Sequence, residues 1–278
     1  VSKYQVNKYG ERIRDRFEHF TEFDDGVLDV DNNADTGLQP ASGWRATPDG
    51  NFVSPSVGSP GAINNFDTNT GSVRFETTGS GATGTSTAMS FVQPFLSLFL
   101  FEDGNWPDVE FEMRFHVDET VLPTSNFEFL IGLFENRNPV TTLDNPSGSA
   151  GTDRIALGFD SNAEQIGTLE SYITTNNELY GGASSTLVGS PSVKASTLHT
   201  FGLEIRSRVL RFFFDEKVVA TYDVVSQPIA ATEYSAVRID PGIRYYAGIM
   251  QRSTSLVKTS CEHAYVAGLR SNKLGLGD

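Results

Sequence analysis

A single cysteine, Cys261, among 278 residues excludes an intramolecular disulfide and any cysteine-built zinc site. Methionine is scarce too, at three residues. No apolar run approaches the roughly 20 residues that span a bilayer. The densest, Phe91 to Phe101, is interrupted by Gln93, Pro94 and Ser97. Val1 to Lys8 contains no apolar stretch of the kind that opens a secretory signal, so the sequence predicts synthesis in the cytoplasm without a signal peptide. An excess of positive charge is missing as well. Lys and Arg number 21 against 35 Asp and Glu, for a net charge of −14. A nucleic-acid groove needs a basic stripe, so neither a nucleic acid nor an anionic membrane is an expected partner.

What is present is apolar surface and punctuation. Hydrophobic residues make up 38 % of the chain, with 20 Phe, enough to offset the ordering entropy that keeps polar chains disordered. The 26 Gly and 12 Pro suit many short strands joined by turns. Wherever a period is visible from Ser72 onward, it is two. Val73, Phe75 and Thr77 alternate with Ser72, Arg74 and Glu76. Residues 109–117 alternate cleanly, as a half-buried antiparallel strand does. Residues 127–134 are apolar nearly throughout and are expected in the middle of a sheet. Residues 155–159 and 169–173 read as further strands. Residues 198–205, 209–214 and 218–222 read as a three-stranded meander, and 243–250 and 262–269 as the last strands. The small-residue stretch 77–87 reads as a hairpin with a flexible tip. Its Gly79-x-Gly81-x-x-Gly84 matches a dinucleotide fingerprint only formally, since no strand-to-helix unit surrounds it, and no cofactor is expected. With no interior helix and under about 10 % helix overall, the pattern predicts an all-β chain folded as one sandwich of two antiparallel sheets.

The first 20 residues differ from the rest. They carry five basic and three acidic groups, leaving 16 and 32 for the other 258. Tyr9, Ile13, Phe17 and Phe20 fall at steps of four, four and three, one face of a helix that Asn7 would cap; a first strand and turn fits equally well. This segment is expected to be an N-terminal arm, residues 1–22, ahead of the sandwich, residues 23–278. Tyr9, Ile13, Arg16, Phe17 and Phe20 are its candidate partner-binding residues.

The run His199-Thr200-Phe201-Gly202-Leu203-Glu204-Ile205, followed by Arg211-Phe212-Phe213-Phe214-Asp215-Glu216-Lys217-Val218-Val219, resembles the concanavalin-like jelly rolls. Those include laminin-G-like modules, legume lectins and laminarinases, in which a strand opening on His leads to a hairpin with an Asp-Gly turn. Residues 256–269 look like the usual last strand, and the likeness extends over residues 72–269. Glu216 stands where Gly is usual, and a two-residue turn needs positive φ there, so a longer or bulged turn is expected. The whole chain, with its polar leader, Trp loop and Gly/Thr stretch, also looks like auxiliary proteins of tailed bacteriophages. That resemblance implies a non-enzymatic capsid decoration (cement) or tail-associated protein of the virion, a homo-oligomer with a trimer favoured, bound to a capsid or tail protein of the same particle.

Several constellations are candidates for chemistry. Asp108, Glu110 and Glu112 alternate, placing three carboxylates on one sheet face about 7 Å apart. Glycosidases need a carboxylate pair about 5–5.5 Å apart for retention, or wider for inversion. Laminarinase-like enzymes carry Glu-x-Asp-x-(x)-Glu, and here the order is Asp-x-Glu-x-Glu with Arg114 continuing the face, so a solvated polar face is expected and no catalytic residue is assigned. Asp29, Asp31, Asn33 and Asp35 resemble the first half of a calcium loop, but Ala34 and Pro40 stand where Gly and Glu are needed, and no metal is assigned. His19, His116, His199 and His263 show no metal-ligand spacing; His199 is expected to pack at a strand start and Cys261 to be a buried, inert thiol. Trp44, Trp106 and Tyr180 are the candidate glycan-stacking residues, or else plugs at the ends of the sandwich. The expected function is thus that of a non-enzymatic virion protein. A glycan-binding, lectin-like module is the alternative and a laminarinase-like hydrolase the third reading.

Overall fold

The structure is a computed structural model. It describes residues 5–6, 12–13, 16–22, 29–30, 44–48, 73–77, 85–91, 99–100, 109–119, 121–123, 126–134, 154–160, 167–175, 178–180, 187–206, 209–225, 236–238 and 244–269. All regular structure among them is β. In chain order the strands are β1 (Gln5–Val6), β2 (Arg12–Ile13), β3 (Arg16–Glu22), β4 (Asp29–Val30), β5 (Trp44–Pro48), β6 (Val73–Thr77) and β7 (Thr85–Phe91). Then come β8 (Phe99–Leu100), β9 (Val109–Val117), β10 (Phe127–Phe134), β11 (Arg154–Asp160), β12 (Glu170–Thr175) and β13 (Glu178–Tyr180). The last six are β14 (Leu198–Arg206), β15 (Val209–Phe214), β16 (Lys217–Val225), β17 (Ala236–Arg238), β18 (Arg244–Ser253) and β19 (Val257–Leu269).

β1 pairs with β2, and the other strands form two sheets. The nine-stranded sheet runs β13-β12-β11-β10-β18-β7-β5-β4, with β8 beside β18. The eight-stranded sheet runs β17-β16-β15-β14-β9-β19-β3, with β6 also on β19. Pairing is antiparallel except at two outer edges, β4 with β5 and β16 with β17. This is the expected all-β sandwich. β10 lies well inside its sheet between β11 and β18, and β14-β15-β16 form the expected meander.

Alternation builds the core. Val109, Phe111, Met113, Phe115 and Val117 of β9 point inward, and across the gap Phe127, Phe129, Ile131 and Leu133 of β10 meet them. Phe115 stacks on Phe129 with centroids 5.2 Å apart, and Phe129 on Phe159 at 5.9 Å, carrying the contact from one sheet along the other. Burying each such side chain is worth roughly 1.5–3 kcal/mol. Two polar ties also cross the core: Ser171 Oγ with Tyr222 Oη at 2.7 Å, and the Trp44 indole N–H donating to Thr21 Oγ1 at 3.0 Å.

Of the two readings of the leader, residues 16–22 follow the strand rather than the helix: they form β3, paired with His263–Leu269 of β19, with Thr21 buried and His19 packed 4.9 Å from Phe91. Two expectations are corrected. β6 and β7 do not form a hairpin. They belong to opposite sheets, because Thr77 must reach Val257 while β7 reaches β18. Finally, the Asp215-Glu216 turn stays at two residues, Phe214 pairing with Lys217. Both turn residues take left-handed φ, 48° and 65°, and the irregularity lies further back, between Phe212 and Phe213. Asp215 is anchored there because its N–H donates to Thr200 O at 2.8 Å and its carboxylate accepts the Thr200 N–H at 3.0 Å.

Candidate functional site

The residues singled out in the sequence do not converge. Trp44 is fully buried, edge-on to Phe91 with centroids 5.3 Å apart, and its indole N–H is used by Thr21. It is therefore a core residue closing the sandwich and offers no face to a sugar. Trp106 lies outside the described residues. Tyr180 is placed only by its backbone, opposite Ile173. Of the arm residues, Tyr9 is outside the described residues, Ile13 is in β2, and Arg16, Phe17 and Phe20 are in β3. Phe20 faces outward, 55 % exposed and 5.5 Å from the His263 ring.

The carboxylate row lies on the outer face of the eight-stranded sheet. Asp108 is outside the described residues, while Glu110, Glu112, Arg114 and His116 alternate with the buried positions of β9. Cations interleave with acids across this face. Glu112 lies 3.8 Å from His263 Nε2, Arg114 Nε lies 3.4 Å from Glu262, and Arg211 donates to Glu204 at 3.1 Å. His116 pairs with Asp118, which also accepts from Ser260 Oγ at 2.6 Å. The result is a mixed-charge, solvated surface of weak pairs. The four histidines sit apart, on Phe91, Asp118, Asp215 and Glu112 respectively. Asp29 falls in β4, and Asp31, Asn33 and Asp35 are outside the described residues. Among the described residues no three His, Cys, Asp or Glu side chains are grouped to hold a metal. Cys261 is buried with Sγ 3.6 Å from Met113 Sδ, and burial, then the nearby Asp118 and Glu262, push its thiol well above the usual range.

The arrangement that sequence reasoning missed is the outer face of the nine-stranded sheet. Register places Glu170, Gly158, Leu130, Met250 and Ala88 in one row, and Tyr172, Ala156, Gly132, Gly248 and Ser90 in the next. A third row sets Asp160, Glu128 and Arg252 side by side. The glycines are obligatory: a Cβ on Gly158 would stand 2.0 Å from Phe129 O, and one on Gly132 2.2 Å from Ile155 O. Over this small-residue floor Leu130, Phe134, Ala156, Tyr172 and Met250 form a second buried cluster, separate from the main core. Arg154 is buried in the same face with its guanidinium 5.8 Å from the Tyr172 ring, and desolvation lowers its pKa against the opposing pull of Tyr172 and Glu128. Around this filled centre Glu128, Glu170, Tyr246 and Arg252 keep partial exposure. The signal for this face was in the sequence, as Gly132, Gly158 and Gly248 inside otherwise apolar strands.

Two stacked antiparallel sheets with this connectivity define a concanavalin-like jelly-roll sandwich. Among solved structures, the chain resembles the carbohydrate recognition domain of Emp47p at 12 % identity, covering 87 % of this chain and 94 % of that one with a TM-score of 0.50. It resembles the catalytic domain of an endo-1,3-β-glucanase (laminarinase) from Thermotoga petrophila RKU-1 at 13 % identity, covering 96 % and 98 % with a TM-score of 0.50. The potassium-bound carbohydrate recognition domain of Emp46p, at 11 % identity, covers 88 % and 98 %, again with a TM-score of 0.50. No protein-family model and no curated protein matches the sequence. The likeness is one of fold, shared by lectin-type domains and enzymes alike, and nothing in it points to a bacteriophage.

Proposed function

We infer that the protein is a non-enzymatic binding module whose ligand is a carbohydrate, met at the rim of the outer face of the nine-stranded sheet. The observation that carries this reading is the contrast between a filled centre and a polar rim. Leu130, Phe134, Tyr172 and Met250 are at most 7 % exposed, while Glu128, Glu170, Tyr246 and Arg252 around them stay partly open. Carboxylate and guanidinium groups accept from and donate to sugar hydroxyls in pairs, and a tyrosine offers a ring with a polar tip. Among the described residues, the filled centre of this face leaves a polymer no groove in which to run past a reacting carboxylate pair. The Emp47p and Emp46p domains, named for carbohydrate recognition, support a binding role, while the laminarinase has the same sandwich, so fold alone does not choose.

The test is a glycan array followed by calorimetry on wild type, Arg252→Ala and Glu128→Gln. Saturable binding that either substitution weakens about tenfold, the scale of one charged hydrogen bond, is the expected result. No binding across the array, or binding indifferent to both, overturns the reading. The virion and trimer readings rest on sequence resemblance, and the leader-attachment reading on the leader's charge and aromatic spacing. For them Phe20 beside His263 is the described leader feature open to a partner, and co-sedimentation with a particle is the measurement.

A further inference from the structure

His199 is buried, 3 % exposed, and uses both ring nitrogens. Nε2 lies 2.9 Å from the backbone nitrogen of Lys194, whose N–H donates to it. Nε2 therefore holds a lone pair, and the ring proton sits on Nδ1, donating to Asp215 Oδ2 at 3.0 Å. The ring stacks on Phe214 with centroids 4.9 Å apart and tilts against Phe115 at 6.0 Å. It thus pins three pieces together: the start of β14, the Asp215-Glu216 turn and the irregular segment 187–197.

That segment is a strap joining the two sheets at one end of the sandwich. Val193 N–H donates to Gly167 O, and Pro191 O accepts from Leu169 N–H, both on the side of the nine-stranded sheet. Val188 N–H donates to Val219 O and Ser196 N–H to Val117 O, on the eight-stranded side. Leu187 and Val193 are its buried anchors.

We propose that His199 is an acid-sensitive pin for this strap. A second proton on the imidazole puts an N–H at Nε2, where it faces the N–H of Lys194, and the bond that seats the strap is lost. The charged groups around the ring limit what compensates. Asp215 gains an imidazolium partner, but its side chain is 48 % exposed, so the added attraction is screened. Glu216 and Lys217 of the same turn are exposed, as is the Lys194 side chain. On β9, Arg114 and His116 turn to the opposite face and are held by Glu262 and Asp118. Acid therefore loosens residues 187–197 while both sheets stay paired.

Amide hydrogen exchange on the wild-type chain, corrected for intrinsic rates, reads this directly. Between about pH 7.5 and pH 5.5, exchange at Lys194 is expected to accelerate roughly tenfold relative to β10 amides, the scale of one lost buried hydrogen bond. Equal protection at both pH values overturns the proposal. His199→Gln places a non-titrating carbonyl oxygen within reach of the Lys194 N–H, so in that variant the pH dependence should vanish. Persistence of the effect there assigns it to another group and also overturns the proposal.

Discussion

Trp44 in the nine-stranded sheet donates its indole N–H to Thr21 Oγ1 in the eight-stranded sheet, 23 residues earlier in the chain. Thr21→Val keeps the shape and removes the acceptor, which should cost about 1–3 kcal/mol because the indole N–H stays buried. Deleting residues 1–20 should likewise lower the melting temperature, since most of β3 goes with it. An unchanged melting curve would contradict the Trp44–Thr21 bond in the substitution and the pairing of β3 with β19 in the deletion. Differential scanning calorimetry is the measurement.

Glu216 holds a left-handed φ of 65° in a two-residue turn that glycine enters without strain. Glu216→Gly should stabilise the fold by about 1 kcal/mol, read as a higher urea midpoint at unchanged slope. Asp215→Gly should not help, because the Asp215 carboxylate holds His199 and the Thr200 N–H.

The Cys261 thiol is held neutral by burial, with Asp118 and Glu262 adding to the shift. A thiol reagent at about pH 8 should leave the native chain untouched and label it stoichiometrically once unfolded. The folded state then binds the proton more tightly than the unfolded state. Stability contributed by this group is complete below about pH 8.5, the ordinary thiol value, and falls as pH rises above it. Chemical denaturation at pH 8 and 10 should show that slope in wild type and its loss in Cys261→Ala.

Glu112 lies near His263, and Glu110 stands opposite Glu204 of β14, whose carboxylate is taken by Arg211. No hydrolysis of β-1,3-glucan is expected. Turnover that disappears in Glu110→Gln or Glu112→Gln would make the protein an enzyme and displace the binding reading.

The strands of β9, β10 and β14 to β16 were legible because their buried positions are apolar and alternate. β3 was not, and its side chains say why. The positions it turns inward include His19 and Thr21, chosen for Phe91 and Trp44, while Phe20 points to solvent. Its apolar residues therefore fall at helical spacing and mask a period of two. Thr77 shows the opposite case: alternation placed it on the buried face, where Val257 N–H donates to its hydroxyl at 3.1 Å. The outer face of the nine-stranded sheet stayed hidden because register, not local pattern, aligns Gly158, Ala156, Gly132 and Gly248 across three strands.

β19 lies against β9 on one side and against both β3 and β6 on the other. On the ribosome, then, three strands made early wait for a fourth made late. His263 pairs with Glu22 across about 240 residues of chain. At roughly 5–20 residues per second, that separation is on the order of ten to fifty seconds of synthesis. During that interval the edges of β3, β6 and β9 have no partner from β19, and such edges invite pairing with other chains. The eight-stranded sheet cannot close until residues 257–269 emerge, and partners so distant in sequence make slow folding the expectation.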